Sequence, residues 1–139
     1  MDICKMSLEE FLGDYELTCD VTDVAFAGPA LEPFVDYDSA NDLSGFPGYK
    51  MAQVGGIPGD IALLKDSSGK LELVGYYCGN AVHVIEEHRT GIKGLGTELI
   101  VAAIPFREPP TENEERSLTK AGLAALTAAY HEARKRNNC

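Results

Sequence analysis

Polar and apolar positions alternate differently along the two halves of the chain. In the first half the pattern is intermittent. Ser7-Leu-Glu-Glu10 has the form of a capping box, with Ser7 at the cap and Glu10 three residues on. It predicts a short helix from about Leu8 to Leu12, stopped by Gly13. Tyr15 to Val21 (YELTCDV) alternates and is rich in β-formers, which predicts a first strand. Ala30 to Ala40 is compatible with a helix if Pro33 lies in its first turn. Gly45, Pro47, Gly48, Gly55, Gly56, Pro58 and Gly59 predict a loop-rich stretch.

The second half is more regular. Asp60 to Lys65 (DIALLK) and Lys70 to Tyr77 (KLELVGYY) predict a hairpin around Asp66-Ser-Ser-Gly69, with Gly69 suited to positive φ. After a turn at Cys78-Gly-Asn80, Ala81 to Glu86 (AVHVIE) predicts a third strand of the same meander. A helix is expected from Thr97 to about Ile104, with Leu95, Leu99 and Ala102 on one face. Pro105, Pro109 and Pro110 end it. Between Phe106 and Ser117 prolines and acidic residues predict a loop, not a strand. Ser117 or Thr119 is placed to cap a last, alanine-rich helix reaching about Lys135, and Arg134-Lys-Arg136 suits its C-terminus. These elements predict a single α+β domain over residues 1–139. Its core would be a mainly antiparallel central sheet of about four strands flanked by helices.

Composition narrows the function. The formal net charge is −10, which argues against nucleic-acid and anionic-membrane partners and leaves room for a cationic acceptor such as an amine. No apolar run is long enough to span a bilayer, and the N-terminus lacks the pattern of a signal peptide. Cys4, Cys19, Cys78 and Cys139 show neither C-x-x-C nor zinc-finger spacing. Free thiols in a reducing cytosol, no structural metal and a cytoplasmic location are therefore the expectations.

One segment concentrates chemistry. From Glu87 to Thr97 (EHRTGIKGLGT) three glycines and two cations, Arg89 and Lys93, stand between the third meander strand and a helix. Such a turn lets backbone amides and the helix dipole converge on an anion, typically a phosphate. The plainer reading is an ordinary connection whose glycines satisfy geometry. The segment is neither a G-x-x-x-x-G-K-[ST] turn nor a G-x-G-x-x-G fingerprint.

The run VIEEHRTGIKGLGTELI (Val84 to Ile100) resembles the acetyl-CoA motif of the GNAT N-acetyltransferases: an apolar strand, a pattern like R-G-K-G-x-G, then a helix. Ile85, Arg89, Gly91, Lys93, Gly94 and Gly96 can be laid on that motif, with Thr90 and Ile92 interrupting it. The resemblance covers roughly Ile61 to Ile100, and with its alanine-rich last helix the chain is similar to short, trimmed, phage- or bacterium-associated members. It implies an acetyl-CoA-dependent N-acetyltransferase acting on an amine of a protein lysine or a small molecule. Backbone groups of Val84 and Ile85 would pair with the pantetheine arm. Arg89, Thr90, Gly91, Lys93, Gly94, Leu95, Gly96 and Thr97 would hold the pyrophosphate. Glu86 or Glu87 would take the acceptor's proton, and Tyr130, the only tyrosine after the motif, is the candidate acid at the thiolate. His83 and His88 are further acid–base candidates. The plainer readings are surface carboxylates for Glu86 and Glu87, and a packing residue for Tyr130. Two alternatives stand beside the enzyme: a catalytically reduced GNAT-like binding or inhibitor protein with an acidic interaction surface, and a subunit that forms a homodimer to complete its sheet.

Overall fold

The computed structural model describes residues 1–18, 28–57, 59–78, 81–84, 94–107 and 115–139. They form two sheets and four α-helices: α1 (Leu8–Leu12), β1 (Asp14–Leu17), α2 (Gly28–Leu31), β2 (Val35–Asp42), β3 (Tyr49–Val54), β4 (Ile61–Ser67), β5 (Lys70–Cys78), β6 (Ala81–Val84), α3 (Leu95–Ala103), β7 (Glu115–Leu118) and α4 (Lys120–Arg136). Short 3-10 turns lie at Ile3–Lys5, Glu32–Phe34 and Ile104–Phe106.

The α+β class and the antiparallel central sheet are as the sequence predicts. The sheet runs β2-β3-β4-β5-β6, every neighbour antiparallel. β4 lies in the middle, and Ile61, Ala62, Leu63 and Leu64 are all buried, so both of its faces are covered. Ile61 and Leu63 face the larger core, with Leu95, Leu99, Ile100 and Ala103 of α3 and Leu126 and Ala129 of α4. Ala62 and Leu64 face a smaller cluster with Val35, Ala52 and Val54. A bulge in β5 makes this two-sided arrangement work. Leu63 pairs with Gly75 but Leu64 pairs with Leu73, leaving Val74 as the extra residue. One extra residue inverts the alternation. Leu71 and Leu73 therefore pack on the smaller cluster, whereas Val74 and Tyr77 enter the larger one.

Several local predictions hold in detail. The capping box at α1 is complete: the Glu10 amide donates to Ser7 Oγ at 3.1 Å and the Ser7 amide to Glu10 Oε1 at 3.1 Å. Gly13 closes that helix at φ 67°. The β4–β5 turn puts Ser68 and Gly69 at positive φ, and the Gly69 amide donates to Asp66 Oδ1 at 3.0 Å. Thr119 caps α4 by accepting from the Gly122 amide at 3.0 Å.

Elsewhere the structure corrects the sequence reading. Ala30–Ala40 is not one helix: α2 ends at Leu31, a 3-10 turn follows, and the chain is extended from Val35. β2 (VDYDSAND) is a polar edge strand, so it lacks the apolar alternation that marks a half-buried one. The glycine-rich stretch contains β3, which buries Tyr49, Ala52 and Val54 between its flanking turns. Of the first predicted strand, Tyr15 to Leu17 form part of β1, outside the main sheet, and Cys19 to Val21 lie outside the described residues. β1 pairs in parallel with β7, Asp14 opposite Glu115 and Leu17 opposite Leu118. β7 occupies part of the segment expected to be loop. Four residues of strand beside acids and prolines give no periodic signal, and its pairing partner is about a hundred residues away.

The cysteines are also corrected. Cys4 and Cys139 form a disulfide across a sequence separation of 135, with Cα atoms 5.5 Å apart. No local spacing announces such a bridge, because the fold alone brings the 3-10 turn Ile3–Lys5 onto the end of α4. The same docking is reinforced by Arg134, whose Nη1 donates to the carbonyls of Ile3, Cys4 and Met6 at 3.2, 3.4 and 3.3 Å. Among the described residues no helix is long and apolar enough to cross a membrane.

Candidate functional site

The strand-turn-helix singled out in the sequence spans β6, residues 85–93 and α3. Among the described residues β6 is the last strand of the sheet; its register sets Val84 opposite Gly75 and Ala81 opposite Cys78. The predicted site residues Ile85, Glu86, Glu87, Arg89, Thr90, Gly91 and Lys93, with His88, lie outside the described residues. The four that follow, Gly94, Leu95, Gly96 and Thr97, are described and form the start of α3.

Gly94 is the N-cap, at φ 83° and ψ 5°. That left-handed conformation is the reason for a glycine here, since an L side chain adopts it only at a cost. Among the described residues a Cβ at this position would meet only Phe46 Cζ, at 3.8 Å, an ordinary contact. Leu95, the first residue of the helix, is buried, while Gly96 and Thr97 are half-buried. Leu95 therefore anchors the helix start in the core. The first-turn amides of any α-helix have no partner within the helix, and the helix dipole adds partial positive charge there.

Charge around this helix start is arranged with care. Glu98 lies in the first turn and is 6 % exposed. Its carboxylate is held by Arg136 in a two-pronged contact, Nη1 to Oε1 at 2.8 Å and Nη2 to Oε2 at 2.7 Å. Arg136 also donates from Nε to Glu132 Oε1 at 3.1 Å. The hydrogen bonds that Arg136 donates to Glu98, with the charges of Glu98 and Glu132, raise the Arg136 pKa against the opposing effect of burial. A buried carboxylate would otherwise repel an anion approaching the same amides; paired in this way its charge is compensated.

The loop between β2 and β3 borders the same corner. Residues 42–49 line an open hollow of about 550 Å³, and Phe46 from that loop is the side chain nearest Gly94. Sequence alone placed none of Phe46, Glu98 and Arg136 at this site, Arg136 being expected only as favourable charge at a helix C-terminus. A glutamate in a helix's first turn is a recognisable signal, but nothing in the sequence ties Glu98 to a residue 38 positions later.

Tyr130 sits elsewhere. It is 6 % exposed, its ring is tilted against Phe11 with centroids 5.5 Å apart, and its hydroxyl donates to the Met6 carbonyl at 2.6 Å. Its proton is thereby committed to joining α4 to the segment before α1. This is the packing role weighed against the proposed acid.

A second polar cluster lies at the other end of β4. Arg107 donates to the Gly59 carbonyl at 3.0 Å and to Asp60 Oδ1 at 3.4 Å, and its guanidinium lies 4.2 Å from the Tyr77 ring centroid. Asp60 is 7 % exposed. Cys78 is a free, half-buried thiol nearby, and its pKa is pushed up to about 11, by burial first and by Asp60 second, with Arg107 opposing. A thiol so raised is protonated and unreactive at neutral pH. Among the described residues no group of three or more His, Cys, Asp or Glu is placed to hold a metal ion.

Comparison with known protein families, curated proteins and solved structures finds no match for this chain.

Proposed function

We propose that the chain binds acetyl-CoA at the start of α3 and transfers the acetyl group to an amine. One observation carries the reading. β6, the outermost described strand of an antiparallel sheet, is joined by a segment whose sequence carries Arg89 and Lys93 to a nine-residue helix that begins at a left-handed glycine and packs on that same sheet. The residues fit a pyrophosphate. Gly94 and Gly96 leave the backbone approachable, the dipole favours an anion, and the nearest buried carboxylate is already paired with Arg136. The terminal position of β6 suits the pantetheine amides, which would add to it as an extra strand would.

The transfer follows from the chemistry of a thioester. The acceptor nitrogen, freed of one proton, attacks the acetyl carbonyl; the C–N bond forms, the C–S bond breaks with its electron pair on the CoA sulfur, and the nitrogen's second proton passes to that sulfur, so CoA leaves as the thiol. Glu86 or Glu87 takes the proton from the acceptor ammonium, directly or through water. The net charge of −10 favours a cationic acceptor over an anionic one. Tyr130 has no part in this scheme, because its hydroxyl is engaged with Met6.

The test is titration of acetyl-CoA into the wild type and into Gly96→Asp. Aspartate in a helix's first turn complements the dipole, so the variant should keep its fold while repelling the pyrophosphate. Equal binding by both proteins would remove the assigned site. A catalytically reduced binding protein is favoured by one feature, the exposed acidic edge strand carrying Asp36, Asp38 and Asp42. Acetyl-CoA binding without thiol release across a panel of amines would select it.

A further inference from the structure

The disulfide and the proposed acetyl-CoA site are joined by an unbroken run of contacts. Cys139 follows three residues after Arg136, the residue that grips Glu98 in the first turn of α3. Between them the chain closes tightly on the end of α4. The amides of Asn137, Asn138 and Cys139 donate to the carbonyls of Ala133, Lys135 and Arg134 at 3.1, 3.2 and 3.1 Å, with Asn138 at φ 57°. A non-glycine residue at positive φ persists only where its surroundings hold it. The bridge to Cys4 is the covalent part of that hold. On the far side, Cys4 belongs to the turn whose carbonyls receive the Arg134 guanidinium. Arg134, Arg136 and Cys139 thus fasten one helix end to two partners, the N-terminal turn and α3.

We propose that Cys4–Cys139 is a redox switch that sets how firmly the end of α4 holds the start of α3. Both cysteines are exposed, so a dithiol reductant can reach the sulfurs. The dithiol supplies two electrons and two protons: the S–S bond breaks, two S–H bonds form, and the reductant leaves as its own disulfide. Reduction leaves the end of α4 held by noncovalent contacts alone. Its last turn frays more often, and each opening withdraws Arg136 from Glu98. The exposed carboxylate charge then opposes an anion at the α3 amides. Oxidised protein is the form competent to bind, and reduced protein is the weakened one. The consequence for acetyl-CoA rests on the function proposed above; the coupling between bridge and helix does not.

The experiment therefore carries two readouts. Hydrogen exchange is followed by mass spectrometry in peptides covering 94–103 and 120–139, for oxidised protein, dithiothreitol-reduced protein and Cys4→Ser/Cys139→Ser. Alkylation mass spectrometry checks the thiol state of each sample. Exchange in both peptides is expected to quicken about tenfold on reduction, within the usual span of coupling between sites. The serine variant should match the reduced wild type and ignore dithiothreitol. Unchanged exchange at 94–103 after complete reduction overturns the switch, as does finding Cys4 and Cys139 both alkylated in unreduced, air-equilibrated protein. Acetyl-CoA titration into the same samples should weaken about tenfold on reduction, by the same coupling. If neither form binds acetyl-CoA while exchange still responds, the ligand assignment fails and the switch stands.

Discussion

Replacing Arg136 by methionine removes the contact that compensates charge at the start of α3, together with the exposed Nε bond to Glu132. Methionine keeps an unbranched apolar stem like that of arginine but removes both prongs of the Glu98 contact. The carboxylate left behind has a side chain only 8 % exposed, so it cannot be rehydrated without local opening. Breaking one partner of a fully buried ion pair costs about 3–5 kcal/mol. Two features lower that figure here: the Arg136 side chain is 41 % exposed, and Glu98 keeps the favourable field of the helix N-terminus. The expected loss is about 2–3 kcal/mol. For a chain of 139 residues, an unfolding entropy of about 2.1 cal/mol/K per residue converts this to a fall in Tm of about 7–10 °C. Thermal and urea denaturation of wild type, Arg136→Met, Glu98→Gln and the double variant would measure it. The double variant should recover most of the loss, because a neutral amide facing methionine leaves no buried charge unpaired. A Tm for Arg136→Met within about 2 °C of wild type would refute the reasoning, since surface substitutions routinely shift stability that much. So would a double variant no more stable than the single.

Two further outcomes follow from single contacts. Ser7→Ala removes one half of the capping box and should cost about 1 kcal/mol in urea unfolding, with Ser7→Gly costing less. Cys78 should resist alkylation at pH 8 in native protein and react at once in denaturant. Its pKa is raised by folding, so stability from this group is present below the ordinary thiol value of about 8.5–9 and is lost as pH climbs toward about 11. Fast native alkylation at pH 8 would show that the thiol is not held in its buried, protonated state.

What could be read from the sequence is what local rules govern. The capping box at Ser7, the turn at Asp66–Gly69 and the antiparallel order of the meander strands each declare themselves within a few residues and form as predicted, and of the two caps offered for the last helix, Ser117 and Thr119, it is Thr119 that caps. β2 and β3 escaped because one is a polar edge and the other is a short strand enclosed by glycines; tertiary pairing, not propensity, makes them strands. The parallel partnership of β1 with β7 and the bridge of Cys4 to Cys139 are contacts between distant residues, which periodicity does not encode. At the candidate site the glycines of the turn were legible, but the helix begins at Leu95 with Gly94 as its left-handed cap, two residues before the predicted start at Thr97. The Arg136 grip on Glu98 was not legible, because either residue alone looks like ordinary helix-end charge. Tyr130 was a candidate by elimination, and elimination ignores the Met6 carbonyl that claims its hydroxyl.

The most direct test of the central claim is calorimetric titration of oxidised protein with acetyl-CoA, with Gly96→Asp as the control. The account predicts saturable binding with Kd inside the common enzyme range of about 1 µM to 1 mM, lost in a Gly96→Asp protein that melts normally. No heat from wild type with acetyl-CoA raised to about 1 mM, the top of that range, would contradict it.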